Sequence, residues 1–148
     1  MDAVEWIKQD HRHIEELFAR FLETETEITQ EDLNQQIQTT LNAHAEIEER
    51  ALYPAVRRFA PQQVDLAIKE HDEVRAILSE LLDPDLNEEE FENRFTELMD
   101  KVNHHIREGE GPNGILDLAR SRLDAKTLSK MATQMRAIKR SIEGKLAA

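Results

Sequence analysis

The 148-residue chain has no cysteine. Disulfides, zinc–thiolate sites, iron–sulfur clusters and cysteine nucleophiles are therefore excluded. Gly and Pro number four each, too few for a loop-rich all-β or collagen-like chain. No apolar run approaches the ~20 residues that a bilayer-spanning helix needs. The N-terminal MDAVEWIKQDH lacks the cationic start and apolar stretch of a secretion signal. A basic excess is missing too: 19 Lys and Arg stand against 31 Asp and Glu, for a net charge of −12. That balance argues against nucleic acid and anionic membrane as partners. The expectation is a soluble cytoplasmic protein, with 39% hydrophobic residues to supply a core.

The charge is unevenly spread. Residues 116–148 hold eight Lys and Arg against three Asp and Glu, a net +5, which leaves −17 for residues 1–115. A basic tail follows an acidic body. Two readings follow: a basic helix lying against an acidic bundle, or a docking arm for an acidic protein partner.

Apolar residues recur with helical spacing nearly throughout. A first helix is expected over about 2–24, with Val4, Ile7, His11, Ile14, Phe18 and Phe21 on one stripe. A second is expected over about 30–59, starting near a cap at Thr29 and running along Leu33, Ile37, Leu41, His44, Glu48, Ala51 and Ala55. Pro54 lies inside it and should leave a carbonyl unpaired and kink it. Pro61 suits the first position of a third helix, about 61–82, on Val64, Ala67, His71, Val74, Leu78 and Leu81. Asn87 followed by Glu90 predicts a capped start for the fourth, along Phe91, Phe95, Leu98, Val102 and His105. GEGPNG then interrupts, and a last helix over about 125–143 carries Leu128, Met131, Met135, Ile138 and Ile142. This pattern predicts an all-α fold: an up-down-up-down four-helix bundle over 1–115 with an additional helical extension, 116–148, packed on it.

The stripes should be apolar because they face the core. Four of them instead hold a histidine: His11, His44, His71 and His105, one per bundle helix. Glu48 follows His44 by four residues and shares its face. His13 and His104 fall off the stripes. A lone core histidine usually bonds a backbone carbonyl. Four of them around a buried carboxylate must protonate, pair or bind something, and a metal ion resolves all three at once. Imidazole and carboxylate without thiolate suit iron, manganese or zinc.

The combination resembles the hemerythrin-like (HHE cation-binding) family. The matching pieces are DHRHIEELF at 10–18, HAEIEERALYP at 44–54, KEHDEV at 69–74 and VNHHIREGEG at 102–111. The resemblance implies a carboxylate-bridged di-iron centre inside the bundle, with His11, His44, Glu48, His71 and His105 as iron ligands. It also implies O₂ binding, oxygen or redox sensing, iron handling, or reaction with nitric oxide or peroxide.

One departure stands out. The family's fourth helix reads H-x-x-x-E, and the position four after His105 is Gly109. Three outcomes are open. The glycine-rich stretch unwinds and lets Glu108 or Glu110 substitute; water or another small ligand takes the place; or the site holds one metal or none. Two Fe²⁺ would bring four positive charges against one from Glu48, so hydroxide, a further carboxylate or an exogenous anion is expected. The leading expectation is a non-haem iron protein responsive to O₂. The alternatives are a regulatory module with a degenerate or mononuclear site, and a di-iron enzyme. No catalytic acid or base stands apart from the ligand set.

Overall fold

The structure, a computed structural model, describes residues 1–147. Helices account for nearly all of it, and the described residues contain no strand. Helix α1 spans Ala3–Glu23, with the Asp2 side chain accepting the Glu5 N–H at its start. Helix α2 spans Glu27–Ile47. Its cap is Thr26 rather than Thr29: the Thr26 side chain accepts the Thr29 N–H, so the helix opens three residues earlier than the sequence suggested. The chain continues without a break through a π-helical turn, Glu48–Leu52, and a short helix α3, Tyr53–Val56.

That wide turn is the form the disturbance at Pro54 takes. The proline ring would collide with the carbonyl four residues back, and a π turn moves that carbonyl away. In it the Tyr53 N–H reaches the Glu48 carbonyl, five residues behind.

Helix α4, Pro61–Glu80, begins on its proline. Helix α5, Glu88–Glu110, begins with a reciprocal cap between Asn87 and Glu90. It does not end at the first glycine: Gly109 is helical and Gly111 closes the helix. A turn over 111–114 follows, with Asn113 in the left-handed region at φ 61°. Gly114 packs so closely on the end of α5 that a Cβ there would collide with the Glu108 carbonyl. The short helix α6, Ile115–Arg122, falls within the expected helical extension, ahead of its last helix, and α7 spans Ala125–Ala147.

The four long helices form the bundle, and α7 lies along α1 and α2. Two apolar cores result. One gathers Phe18, Phe21, Leu33, Ile37, Leu78, Phe95 and Leu98. The other gathers Val4, Ile7, Leu52, Val56 and Val64 with Leu116, Leu128, Met131 and Met135 from α6 and α7. The methionine stripe of α7 is thus buried. Basic side chains of this region also have partners in the chain: Arg120 pairs with Asp2 at 3.0 Å, and Lys139 lies over the Trp6 ring at 5.9 Å. Among the described residues no helix is long and apolar enough to cross a membrane.

Candidate metal centre

Between the two cores lies a polar layer. On α1 it is His11, flanked by Ile7 of one core and Ile14 of the other. On α2 it is His44, between Leu41 and Ile47. His71 on α4 and His105 on α5 complete it. His11, His44, Glu48 and His71 are all at most 5% exposed. The off-stripe residue His104 has an exposed side chain, and so does His13.

Glu48 is the hub. Its Oε1 lies 3.0 Å from His71 Nε2, 3.1 Å from His44 Nε2 and 3.4 Å from His105 Nε2. The Tyr53 hydroxyl donates to the same oxygen at 3.2 Å and lies 3.2 Å from His71 Nε2. The π turn brings Tyr53 and Glu48 together, since residues five apart share a face only where the helix is widened. Apart from a more exposed group of Glu70, His104 and Glu108, two groups of three ligand atoms follow, each within 4.8 Å of one another: His11, His44 and Glu48, and Glu48, His71 and His105. Glu48 belongs to both.

The outer nitrogens form a closed ring. Nδ1 of His44 on α2 donates to Asp10 of α1 at 2.6 Å. Nδ1 of His71 on α4 donates to Glu49 of the π turn at 2.7 Å. Nδ1 of His105 on α5 donates to Glu70 of α4 at 2.8 Å. Nδ1 of His11 on α1 donates to Glu110 of α5 at 2.6 Å, and Arg12 grips the same carboxylate. Each helix thus supplies the carboxylate for a neighbour's imidazole. Because a carboxylate can only accept, each Nδ1 carries the proton, and Nε2 is left to face inward.

Of the two glutamates offered by the glycine-rich stretch, neither enters the triads. Glu110 holds the outer nitrogen of His11. Glu108 sits 3.1 Å from the exposed His104. The reason is register: α5 remains helical, so His105 shares its inner face with Gly109, and the flanking glutamates point to either side.

Proton affinities follow these contacts. Burial opposes charge on His44, but Glu48 and Asp10 outweigh it and raise its pKa to about 10. Burial likewise opposes charge on His105, and its bonds to Glu48 and Glu70 carry it to about 9. At His11 burial prevails over Glu110 and lowers the pKa. Glu48 is held well below the usual carboxylate range: burial would raise it, but His44 and the other imidazoles overcome that. Burial and then Glu48 push Tyr53 well up, so its hydroxyl keeps its proton.

The residues present fit a metal. Nε2 of His11 and Nε2 of His44 are buried without a hydrogen-bond partner, the latter close to Glu48 but not directed at it. An orphaned buried nitrogen is costly unless a cation takes it. Nε2 of His71 and Nε2 of His105 lie 3.2 Å apart, converging on one oxygen. Four inward nitrogens and a shared carboxylate are a donor set for divalent transition metals. Metal binding would displace the protons of His44 and His105.

Sequence reasoning did not find Tyr53, Asp10, Glu49 or Glu70. A faint signal was available: Asp10, Glu49 and Glu70 each adjoin a stripe residue. Nor did it find the cavity of about 360 Å³ that reaches His11, Glu48, Tyr53 and His105 beneath the 111–114 turn.

A DNA nickase of Nostoc sp. is 28% identical over 147 residues, which is 99% of this chain. The chain spans only 41% of that relative's length. A solved hemerythrin HHE cation binding domain-containing protein from Mycobacterium kansasii superimposes with a TM-score of 0.74 at 20% identity, covering 98% of this chain and 89% of that one. It shares the fold. The family model of the hemerythrin HHE cation binding domain matches residues 2–111, which takes in the four histidines, Glu48 and the ring of carboxylates. The chain belongs to the hemerythrin HHE cation-binding domain family.

Proposed function

We propose that the protein binds two iron ions, one at His11, His44 and Glu48 and one at Glu48, His71 and His105, and uses them to bind or sense O₂ or another small diatomic ligand. The single observation that carries this reading is the pair of ligand triads sharing one buried carboxylate. Bound iron would supply electron density to such a ligand. The chain's own residues do the rest. Asp10, Glu49, Glu70 and Glu110 fix each imidazole with Nε2 inward. The Tyr53 hydroxyl offers a proton donor beside Glu48 in a buried setting. The aromatic core keeps bulk water from one face of the layer, which slows loss of ligand and uncontrolled oxidation.

Anaerobic iron reconstitution tests this, with metal analysis and an optical spectrum before and after air. Two irons per chain with charge-transfer bands that change on aeration are expected. His44→Ala removes an inward nitrogen and should lower iron affinity by roughly 10-fold or more, since the loss of even a supporting group costs that much. Unchanged iron stoichiometry in that variant at limiting metal would sink the assignment.

The relative named as a DNA nickase bears on partners. We infer that this chain itself does not take nucleic acid, because its net charge of −12 opposes a phosphate backbone. Retention of duplex DNA in a mobility-shift assay at physiological salt would overturn that.

A further inference from the structure

We propose that the cavity beneath the 111–114 turn is a binding site for a small organic monocarboxylate, whose head lies against the bound cations and whose aliphatic tail lies against Leu66 and Leu116. The proposal rests on the two-metal reading above.

The cavity exists because α5 puts a glycine on its inner face. Gly109 follows His105 by one turn, and a Cβ there would meet nothing within 4 Å. The space runs from that glycine down to His11, Glu48, Tyr53 and His105. At about 360 Å³ it is on the scale of small-molecule pockets rather than of a packing defect. Its upper wall is built tightly. Gly114 closes against the end of α5, and Gln63 donates to the Asn113 carbonyl at 3.2 Å.

Charge selects the class of ligand. The acidic groups of the lining are already committed: Glu48 to the histidines, Glu70 to His105, Glu108 to His104. Arg107 is the lining cation without an ion-pair partner among the described residues. At the floor, two divalent cations would meet a single buried carboxylate, Glu48. The ring carboxylates lie a full imidazole further out. An incoming anion offsets the excess in a medium where uncompensated charge is expensive. The remaining wall is apolar: Leu66 is 49% exposed at the mouth, and Ala67, Ile115 and Leu116 line the interior. A halide would leave that wall unused, whereas an alkyl tail covers it.

Calorimetry on the full chain, iron-loaded and anaerobic, tests this with sodium butyrate and sodium formate as probes. One butyrate per chain is expected, binding about tenfold more tightly than formate because its methylene groups reach Leu66 and Leu116. The metal-free chain should give no heat. Arg107→Gln should weaken butyrate several-fold at unchanged iron content. Gly109→Glu should abolish it, since its own carboxylate enters the cavity. Leu66→Asp, at an exposed position of α4, should do the same without disturbing the buried face of that helix. A chain that holds two irons but shows no heat with butyrate overturns the proposal and leaves the metal reading standing. A chain that takes up no iron overturns the metal reading, and this proposal with it. Equal affinity for formate overturns the tail's place, and equal binding to the metal-free chain overturns the head's.

Discussion

The two apolar cores that sandwich the histidine layer are made differently. On one side Phe95 packs edge-on to Phe18 at 5.9 Å and stacks on Phe21 at 4.1 Å, with Phe91 beside it. All of these residues come from the four bundle helices. On the other side the bundle does not close by itself. Its second helix widens into the π turn, and the gap is covered by Leu116, Leu128, Met131 and Met135 from α6 and α7. The cavity opens on that second side. One face of the histidine layer is therefore covered by the bundle itself, and the other is roofed by an added segment. Only the roofed face has a cavity of small-molecule size reaching the layer.

Four substitutions would break or sharpen this contrast. Phe95→Ala empties the centre of the aromatic cluster and should cost about 3–5 kcal/mol. Thermal melting should fall by roughly 10 °C while iron content in the folded protein holds. Met135→Ala on the roofed side should cost about 2–4 kcal/mol, less because flexible neighbours can relax into the space. A drop as large as that of Phe95→Ala would mean the added helix belongs to the bundle's own core. Asp10→Asn leaves both cores intact and loosens only the His44 imidazole. It should weaken iron binding by about 10–100-fold, read by competition with a chelator. Smallest is Arg120→Ala, which removes the surface pair with Asp2 and should shift stability by no more than about 1 kcal/mol in denaturant unfolding. A larger loss would show that charge, rather than the buried stripe of α7, holds the tail in place.

Much of this was legible in the chain. His11, His44, His71 and His105 announced themselves because helical periodicity is a local property, and a polar residue on an apolar stripe is visible without knowing the neighbours. The Asn87–Glu90 cap and the Pro61 start are local as well. The start at Thr26 was missed because two threonines three apart both look like caps, and which one bonds depends on the loop before them. Helix α6 was hidden by the glycines and proline just ahead of it.

The sequence alone determined the helices, their buried stripes and the five residues that meet at the centre, since all of these follow from rotation of about 100° per residue along one helix. The tertiary structure decided what lies around them. Asp10 adjoins His11 yet serves His44, and Glu70 adjoins His71 yet serves His105. Neighbours in sequence point to different sides of a helix, so each carboxylate's partner is set by which helix lies alongside. Glu110 reaches His11 for the same reason. The cavity, too, is a property of packing: a glycine in the sequence is a missing side chain, and only the surrounding walls make it a site.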